Sequence, residues 1–468
     1  MSETEHLYQE RIPVFPRSVK GHFRSIKWGV LFLAYGVYFL LPWVRWERPV
    51  GPDQAIIFDL EGRLFYLFGL TVHPQDIFWL AGFLMLAALV LFFVTSVAGR
   101  IFCGYFCFQT LWTDVYILIE RLVQGERPAR IRLSKQPWSD GEKIRKIGMT
   151  HLLWLLVAFL TGLTFVLYWG NAPDLIVEFF TGKAPFPAYA TTFFLTATTY
   201  VMAGLAREQV CIYMCPYGRF QTVMFDRDTL IVSYDKERGE GSEGRHKIAK
   251  GYKQQEERKA NGAGDCIDCG YCVQVCPTGV DIRNGLQVGC IHCALCVDAC
   301  NNIMDGLGWE RGLIGYKSER ELEGGKTHFF KWKSIGYAVA ITVVFALTLW
   351  SMLNQSNFDL HVRKIRQPLY VTLSSGEIQN SYELKLNNKT NHDVTIRLET
   401  RGLDKSVVDF GRFEEVLIKP EKTLRIIARV KIEPVPAMPK QQEFTFLAVP
   451  VNQKDMVTVE APARFFIP

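Results

Sequence analysis

Five apolar runs limit what this chain of 468 residues can fold into more than any other feature of its sequence. Each run is about as long as the ~20 apolar residues that a helix needs to cross the hydrocarbon core of a bilayer. Backbone groups in lipid must be satisfied within the segment, so each run predicts a transmembrane helix. Threonines dilute the fourth run, but their hydroxyls can bond back to helix carbonyls. The runs cover residues 28–44, 77–99, 149–169, 189–206 and 335–353.

The distribution of charge predicts how these helices are oriented. Lys and Arg are frequent before the first run and between the second and third, whereas Asp and Glu predominate in the connectors 45–76 and 170–188. By the positive-inside rule, the N-terminus and segment 207–334 are cytoplasmic and the C-terminal segment lies outside. No cysteine occurs in a segment assigned to the outside, as expected for thiols kept in a reducing compartment. The membrane flanks explain the net charge of +6 better than nucleic-acid binding does.

Eight of the twelve cysteines form two quartets with the spacing Cys-x2-Cys-x2-Cys-x3-Cys. This is the spacing of bacterial ferredoxins, in which the fourth cysteine of each quartet ligates the other 4Fe–4S cluster. Zinc sites also use Cys-x2-Cys pairs, but they normally separate two such pairs by a longer loop. The sequence therefore predicts two clusters and a role in moving single electrons. The predicted ligands are Cys266, Cys269, Cys272 and Cys300 for the first cluster, and Cys276, Cys290, Cys293 and Cys296 for the second.

The other four cysteines belong to an internal repeat. Cys103 and Cys107 follow the second run, Cys211 and Cys215 follow the fourth, and each pair is succeeded by Phe-Gln-Thr. Spacing of four residues puts two thiols on one helix face, and the repeat predicts that both pairs meet at the cytoplasmic membrane face. These membrane-face cysteines can form a site for a soft metal such as copper, with Met214 as an extra ligand. The alternative is that they are inert buried thiols at helix ends.

Several other polar residues lie near the predicted sites. His73 and His151 are able to bind a metal or a quinone, although histidines at such positions are usually only hydrogen-bonded. His292 lies between cluster ligands and is expected to shield or tune the cluster. Arg100 and Arg207 precede the two cysteine pairs, and we expect both to be interface residues that extend toward the membrane surface.

Outside the membrane runs the sequence predicts two kinds of segment. Residues 236–264 are rich in Lys, Glu, Arg and Gly and predict a mobile linker. From about residue 359 apolar residues alternate with polar ones, which predicts the strands of an immunoglobulin-like sandwich. The predicted organisation is a basic tail at 1–27, a four-helix membrane region at 28–206, a cytoplasmic segment at 207–334 with a ferredoxin-like module at about 260–305, a fifth helix at 335–353 and the sandwich at 359–468.

Together these features resemble the CcoG family, also called FixG or RdxA, whose members are accessory proteins for assembly of cbb3-type cytochrome oxidase. The resemblance covers nearly the whole chain, from the five spans and the paired Cys-x3-Cys elements to the C-terminal sandwich. It implies a protein of the bacterial inner membrane, with a periplasmic C-terminal domain, that reduces Cu(II) to Cu(I) for copper chaperones. It also implies oxidase assembly factors as partners. The hypothesis that follows is a relay from a cytoplasmic electron donor, through two clusters, to copper at the membrane-face cysteines.

Two other functions stay open on the sequence alone. Quinol-oxidising membrane subunits of periplasmic nitrate and nitrous-oxide reduction resemble this chain in their Cys-x3-Cys-Pro elements and two-cluster modules. The outer segment, however, has no cofactor motif that would receive electrons. A non-enzymatic assembly scaffold would instead dock oxidase subunits through the outer sandwich, and its clusters would only sense redox state.

Overall fold

The structure is a computed structural model that describes residues 13–248, 254–403, 406–411, 415–433, 439–451 and 458–467. Residues 1–12 of the predicted basic tail, part of the predicted linker and short segments of the predicted sandwich lie outside the described residues. The chain folds into two compact units. The first contains the described residues up to Trp46 together with Gln54–Thr348, and the second contains Glu47–Asp53 together with the described residues from Leu349 onward.

The helices belong almost entirely to the first unit. Two π-helical segments, Tyr200–Ala206 and Val210–Met214, follow one another around Cys211. The α-helices are α1 His22–Leu40, α2 Ile77–Ala98, α3 Ile101–Tyr105, α4 Phe108–Gln124, α5 Arg127–Lys135, α6 Gly141–Leu167, α7 Ala172–Phe180, α8 Phe186–Thr199, α9 Pro216–Val223, α10 Lys236–Glu240, α11 Gln255–Ala260, α12 Tyr271–Gln274, α13 Leu295–Leu307, α14 Glu319–Leu322 and α15 Trp332–Leu353.

Within the described chain, five helical segments are long and apolar enough to cross a membrane. Their number agrees with the five predicted spans, and four of them overlap predicted runs. The fifth, formed by α3 and α4, is not among the predicted runs, and the predicted run 189–206 is not among these five segments. The segments are His22–Trp43, Ile77–Ala98, Ile101–Gln124, Gly141–Leu167 and Trp332–Leu353.

Threonines and buried charges explain this difference. The run 189–206 falls into the 14 residues of α8 and the 7 residues of the π-helical Tyr200–Ala206, so it is not one long α-helix. Thr196 and Thr198 bond back to carbonyls of α8, a pattern that bends helices. Helix α4 was missed because Asp114 and Glu120 interrupt its apolar sequence, although both are buried in ion pairs.

The membrane helices pack through aromatic and small residues. In α4, Trp112 donates to Thr161 Oγ1 of α6 at 2.9 Å, and the Tyr116 hydroxyl donates to the Trp154 carbonyl, also of α6, at 2.9 Å. Gly162 allows α6 to approach α8 closely, because a Cβ there would lie 2.5 Å from the Thr192 carbonyl oxygen. Such close backbone contact is how small residues stabilise helix pairs in lipid.

The start of the described chain is bound to the cysteine-rich region. The Arg17 backbone N–H donates to the Gln274 carbonyl at 2.7 Å, and Tyr271 donates to the Ser18 carbonyl at 3.1 Å. Asp298 of α13 accepts from the backbone N–H groups of Phe23 and Arg24, which caps the N-terminus of α1. Residues 13–27 of the predicted basic tail are therefore packed in the structure.

The connector 45–76 contains three short strands, β1 Ile56–Asp59, β2 Leu64–Leu67 and β3 Leu70–Val72. A separate two-stranded sheet lies at the two ends of the cysteine-rich region. Strand β4, Ile231–Tyr234, pairs antiparallel with β5, Ile314–Lys317, so the chain enters and leaves the region side by side. The expectation of a mobile linker at 236–264 is wrong for its described part, because α10 and α11 fold there and the fully buried Arg258 donates to the Gly264 carbonyl.

The second unit is an all-β sandwich, as predicted. One sheet has the order β10-β12-β8-β6, with β7 beside β8, and the other has the order β11-β9-β13-β14. Tyr382, Leu384 and Leu386 of β8 alternate into the core, where they are fully buried. The strands are β6 Phe358–Lys364, β7 Val371–Thr372, β8 Ile378–Asn388, β9 Val394–Arg401, β10 Ser406–Asp409, β11 Glu415–Ile418, β12 Thr423–Ile432, β13 Gln441–Pro450 and β14 Val459–Phe466.

Candidate iron–sulfur and thiol sites

The predicted ligands of the first cluster surround one cavity. Cys266, Cys269, Cys272 and Cys300 all line this cavity in the cysteine-rich region. Cys269 is exposed, whereas the other three are buried or half-buried. Cys300 comes from α13, so the second quartet contributes its last cysteine to the first site, in the grouping that the sequence predicts.

The predicted ligands of the second cluster line a neighbouring cavity. Cys276, Cys290, Cys293 and Cys296 all line this second cavity, and Cys272 of the first site also reaches its wall. The four predicted ligands are all buried or half-buried. Because one cysteine borders both cavities, the two sites are adjacent.

The backbone around both quartets makes the same left-handed turns. Asp268 and Gly270 flank the second cysteine of the first quartet with φ of 49° and 65°, and His292 and Ala294 flank the second cysteine of the second quartet with φ of 52° and 56°. Turns of this kind direct N–H groups toward a common centre and form the concave sites of many iron–sulfur proteins. Ala294 adopts this conformation at a cost of about 1–2 kcal/mol. The residues present therefore fit 4Fe–4S clusters.

The thiols of these sites need positive charge to ionise. Burial raises the pKa of Cys272, Cys290 and Cys300 to about 12, so these groups are protonated at neutral pH without metal. Iron binds the thiolate form, so binding releases protons and stabilises the fold. When bound, a cluster supplies one-electron transfer.

Cys103 packs directly on the second cluster site. It belongs to the same group of packed, buried side chains as Ile291 and Cys293, and its thiol donates to Gln221 Oε1 at 3.1 Å. The next residue, Gly104, permits this contact, because a Cβ there would lie 2.8 Å from the Ile291 carbonyl oxygen and 3.0 Å from the Cys293 nitrogen. Tyr105 adds a hydrogen bond to the Cys293 carbonyl at 3.1 Å. Helix α3 is thus bound to the loop that carries the predicted ligands.

The prediction that each Cys-x3-Cys pair lies on one helix face is wrong. Cys107 is the N-cap of α4 and Cys215 is the N-cap of α9, both with extended backbone, so a break separates each from its partner. In the second pair Pro216 causes the break, since the residue before a proline is disfavoured in a helix. The equivalent position of Cys107 and Cys215 nevertheless shows that the repeat extends to the local structure.

The structure brings the four membrane-face cysteines into one neighbourhood. The Cys211 thiol lies within electrostatic reach of Cys103, Cys107 and Cys215. Cys211 also packs against the group of buried side chains that contains Cys103. Met214 lies one residue before Cys215 but is 62% exposed. In the described part of the chain, no three His, Cys, Asp or Glu side chains converge closely enough to hold one metal ion. Copper ligation by these residues stays a prediction.

The two arginines before the cysteine pairs are not exposed interface residues, and that expectation is wrong. Arg100 is 1% exposed and Arg207 is half-buried, because both turn inward to bond protein groups. Arg207 forms an ion pair with Glu120. Arg100 donates through its backbone N–H to His292 Nδ1 at 3.0 Å, so His292 connects the turn between α2 and α3 to the second cluster loop.

Sequence reasoning also missed Gln221. It is fully buried, and besides accepting from Cys103 it donates to Thr95 Oγ1 at 3.2 Å. The counterpart in the first copy of the repeat, Gln109, donates to the Met202 and Arg207 carbonyls. The repeated Phe-Gln-Thr sequence was the available signal, since both glutamines bind the opposite copy.

The contacts of the candidate residues His73 and His151 are with side chains other than the predicted thiol ligands. His151 is hydrogen-bonded to the Tyr200 hydroxyl at 2.9 Å and packs edge-on to Trp154. His73 is buried beside Asp76, with 3.7 Å between Nδ1 and Oδ2.

Comparison with known proteins agrees with this architecture. The 4Fe–4S dicluster domain family matches residues 206–319, and the immunoglobulin-like fold at the C-terminus of FixG matches residues 348–468. Five apolar helices, a dicluster domain and an all-β C-terminal domain define a membrane iron–sulfur redox protein.

Full-length relatives identify the family. Protein RdxB of Cereibacter sphaeroides is 46% identical over 83% of this chain and 82% of its own, and protein RdxA of the same organism is 44% identical over 85% and 84%. Nitrogen fixation protein FixG of Rhizobium meliloti is 37% identical over 89% of this chain and 86% of its own. The chain belongs to the FixG/RdxA family, also called CcoG. A crystal structure of a FixG-related protein from Vibrio parahaemolyticus matches 24% of this chain and 97% of its own at 20% identity, with a TM-score of 0.22 that is too low to support a statement about the fold.

Proposed function

We propose that this protein reduces Cu(II) to Cu(I) with electrons that pass through two 4Fe–4S clusters. The contact between Cys103 and the second cluster loop carries the proposal. Cys103 and Cys293 belong to one group of packed, buried side chains, and Cys211 packs against that group. Thiols that can bind a soft metal therefore lie beside predicted ligands of the second 4Fe–4S cluster. Short separation of this kind is what one-electron transfer between two sites requires.

The exposure of the cysteines gives the relay a direction. Cys269 of the first site is exposed, whereas the cysteines of the second site are buried or half-buried, and Cys293 belongs to the same group of packed side chains as Cys103. A soluble donor can therefore approach the first cluster, and the second cluster passes the electron on. Each Cu(II) takes one electron and becomes Cu(I), and no covalent bond need form or break in that step.

The thiol ligands favour the reduced product. Cu(I) is soft and binds thiolate and thioether, whereas Cu(II) prefers nitrogen and oxygen ligands. A site built from Cys103, Cys107, Cys211 and Cys215 therefore stabilises Cu(I) relative to Cu(II).

In this proposal the protein works in the bacterial inner membrane. The N-terminus and the clusters face the cytoplasm, where an electron donor supplies them, and the C-terminal sandwich faces the periplasm. Copper chaperones accept the Cu(I), and assembly factors of cbb3-type oxidase are the partners of the sandwich. The positive-inside pattern supports this orientation, and membership of the FixG/RdxA family supports a redox role.

The test uses purified full-length protein reduced anaerobically and then freed of reductant. Wild type is expected to contain about eight iron atoms per chain and to form about two Cu(I) per chain when mixed with Cu(II). The double variants C103S/C107S and C211S/C215S are expected to keep their iron but to form Cu(I) at least tenfold more slowly. The variant Met214→Leu tests the extra ligand. Its matched control is Tyr213→Phe, an exposed neighbour in the same turn, which should have no effect.

Three results would contradict the proposal. Wild-type Cu(I) formation in both double variants would remove the thiols from the reaction. Rapid reduction of the clusters by added quinol would identify a quinol dehydrogenase instead. Normal oxidase copper loading after loss of the cluster cysteines, but not after deletion of residues 359–468, would identify a non-enzymatic scaffold.

A further inference from the structure

Arg100 is a buried cation that lies against the second cluster loop. Its side chain is 1% exposed and its Nη1 donates to the Val288 carbonyl, two residues before Cys290. Its backbone N–H donates to His292 Nδ1, between Cys290 and Cys293. Both contacts fix the guanidinium beside predicted ligands of the second cluster.

The opposite side of the same guanidinium faces the membrane-face cysteines. A Cβ at Gly218 of α9 would lie 2.6 Å from Arg100 Nη2, so the glycine leaves the space that the side chain occupies. The thiols of Cys103 and Cys211 lie within electrostatic reach of Arg100. The charge therefore stands between the second cluster site and the thiols next to it.

This charge has no carboxylate partner. Among the described residues no Asp or Glu forms an ion pair with Arg100, and its Nε is buried without a hydrogen-bond acceptor. An unpaired buried cation costs several kcal/mol, so a nearby negative group must compensate it. A cluster held by four thiolates is such a group, because the ligand charges exceed the positive charge of the iron–sulfur core.

The second copy of the repeat provides the contrast. Arg207 lies four residues before Cys211 and Arg100 three residues before Cys103, but the Arg207 guanidinium is paired with both oxygens of Glu120. Arg130 also binds that carboxylate. Arg207 thus has a carboxylate partner, which it shares with Arg130, whereas Arg100 has none among the described residues.

We propose that Arg100 raises the reduction potential of the second cluster. Reduction adds one electron to the cluster, without proton transfer or a change in bonding, and a fixed positive charge stabilises the more negative reduced state. Electrons are thereby drawn from the exposed first cluster to the buried second one. The inference rests on cluster ligation by the two quartets and does not depend on copper.

The experiment is a dithionite titration of the holoprotein, followed by EPR, without copper. For Arg100→Gln we expect one of the two cluster signals to shift to lower potential by a tenfold change in the equilibrium constant for reduction, which is about 59 mV for one electron. Arg100→Lys keeps the charge and should retain the wild-type potential. Arg207→Gln is the matched control and should leave both signals unchanged. Iron content is measured for every variant.

Each alternative outcome decides the question. If Arg100→Gln loses iron while Arg100→Lys keeps both iron and potential, the requirement for charge is supported. An unchanged potential in Arg100→Gln would overturn the proposal, as would equal shifts in the Gln and Lys variants or an equal shift in Arg207→Gln. Loss of iron in both Arg100 variants would show that the residue has a structural role and would also overturn it.

Discussion

In the first copy of the repeat the leading cysteine is followed by Gly104, and in the second copy it is followed by Ile212. The glycine lets the backbone of α3 pack on the backbone of the cluster loop, since a Cβ at Gly104 would lie only 2.8 Å to 3.0 Å from backbone atoms of Ile291 and Cys293. Ile212 reaches the same loop through its side chain, since a Cβ at Gly289 would lie 3.6 Å from Ile212 Cδ1. The first copy thus contacts the cluster loop through rigid backbone atoms, and the second copy contacts it through a side chain that can move.

The aspartates at the ends of the two copies differ in how deeply their ion pairs are buried. Asp114 pairs with Arg24 and Lys27 of α1, and its carboxylate is 6% exposed. Asp226 pairs with Lys331, immediately before α15, and is 33% exposed. Each aspartate therefore binds a cation at the base of a peripheral helix, but only the first does so in a buried setting. The first copy is expected to tolerate change less well.

The largest effect is expected for Asp114→Asn. The amide keeps the shape of the side chain but leaves Arg24 and Lys27 without a buried counter-charge, which costs about 3–5 kcal/mol. Unfolding in detergent should show this loss, and Asp226→Asn should cost clearly less because solvent screens its pair. Equal losses in the two variants would remove the distinction between the copies.

A smaller effect is expected for Gly104→Ala. The new methyl group would meet backbone atoms that cannot move aside, and overpacking of this kind costs about 1–3 kcal/mol. The melting temperature and the iron content should both fall. The control is Gly148→Ala in α6, where no atom lies within 4 Å of the added Cβ. There we expect a small gain in stability, because alanine favours helix over glycine. A wild-type melting temperature for Gly104→Ala would mean that the contact between α3 and the loop is loose.

The smallest effect concerns pH. Burial opposes ionisation of Asp226, but the Lys331 ammonium and hydrogen bonds from Asp228 N–H and Thr229 outweigh it and hold the pKa of Asp226 below its usual 3.8. A lowered pKa in the folded state gives stability that is fully present above 3.8 and is lost as the pH falls below it. The difference in unfolding free energy between wild type and Asp226→Asn should therefore shrink below pH 3.8. Lys331→Met should reduce the same pH-dependent part, and an unchanged pH profile in that variant would rule out the ion pair as its source.

Local regularities made much of the molecule predictable from sequence. The members of each predicted ligand set line one cavity, although Cys272 also reaches the second, and alternation at Tyr382, Leu384 and Leu386 anticipated the buried face of β8. Both features repeat over a few residues, so no distant contact is needed to recognise them. The break at Cys215 was missed, although Pro216 was a local signal for it, since proline restrains the preceding residue.

Other features depend on residues far apart in the chain and could not be predicted. Arg100 and Arg207 each lie shortly before the leading cysteine of their copy, yet Arg207 pairs with Glu120 of α4 and Arg100 does not. The carboxylates of Asp114 and Glu120 make the sequence of α4 look too polar for a long apolar helix. The sequence does not show that cations of α1 and Arg130 neutralise them. Amphipathic pattern shows that a face is polar but does not show which distant group will neutralise it.

The cap that Asp298 gives to α1 also bears on how the protein is made. The residue lies between Cys296 and Cys300, and its bond to Phe23 N–H spans 275 positions of sequence. Chains grow at about 5–20 residues per second, so the first helix leaves the ribosome on the order of 10–60 s before its cap is synthesised. During that interval the base of α1 has no partner from α13. Delivery of iron and sulfide to the nascent module thus becomes a step in the biogenesis of the membrane region, and iron starvation should expose the start of α1 to proteases in newly made chains.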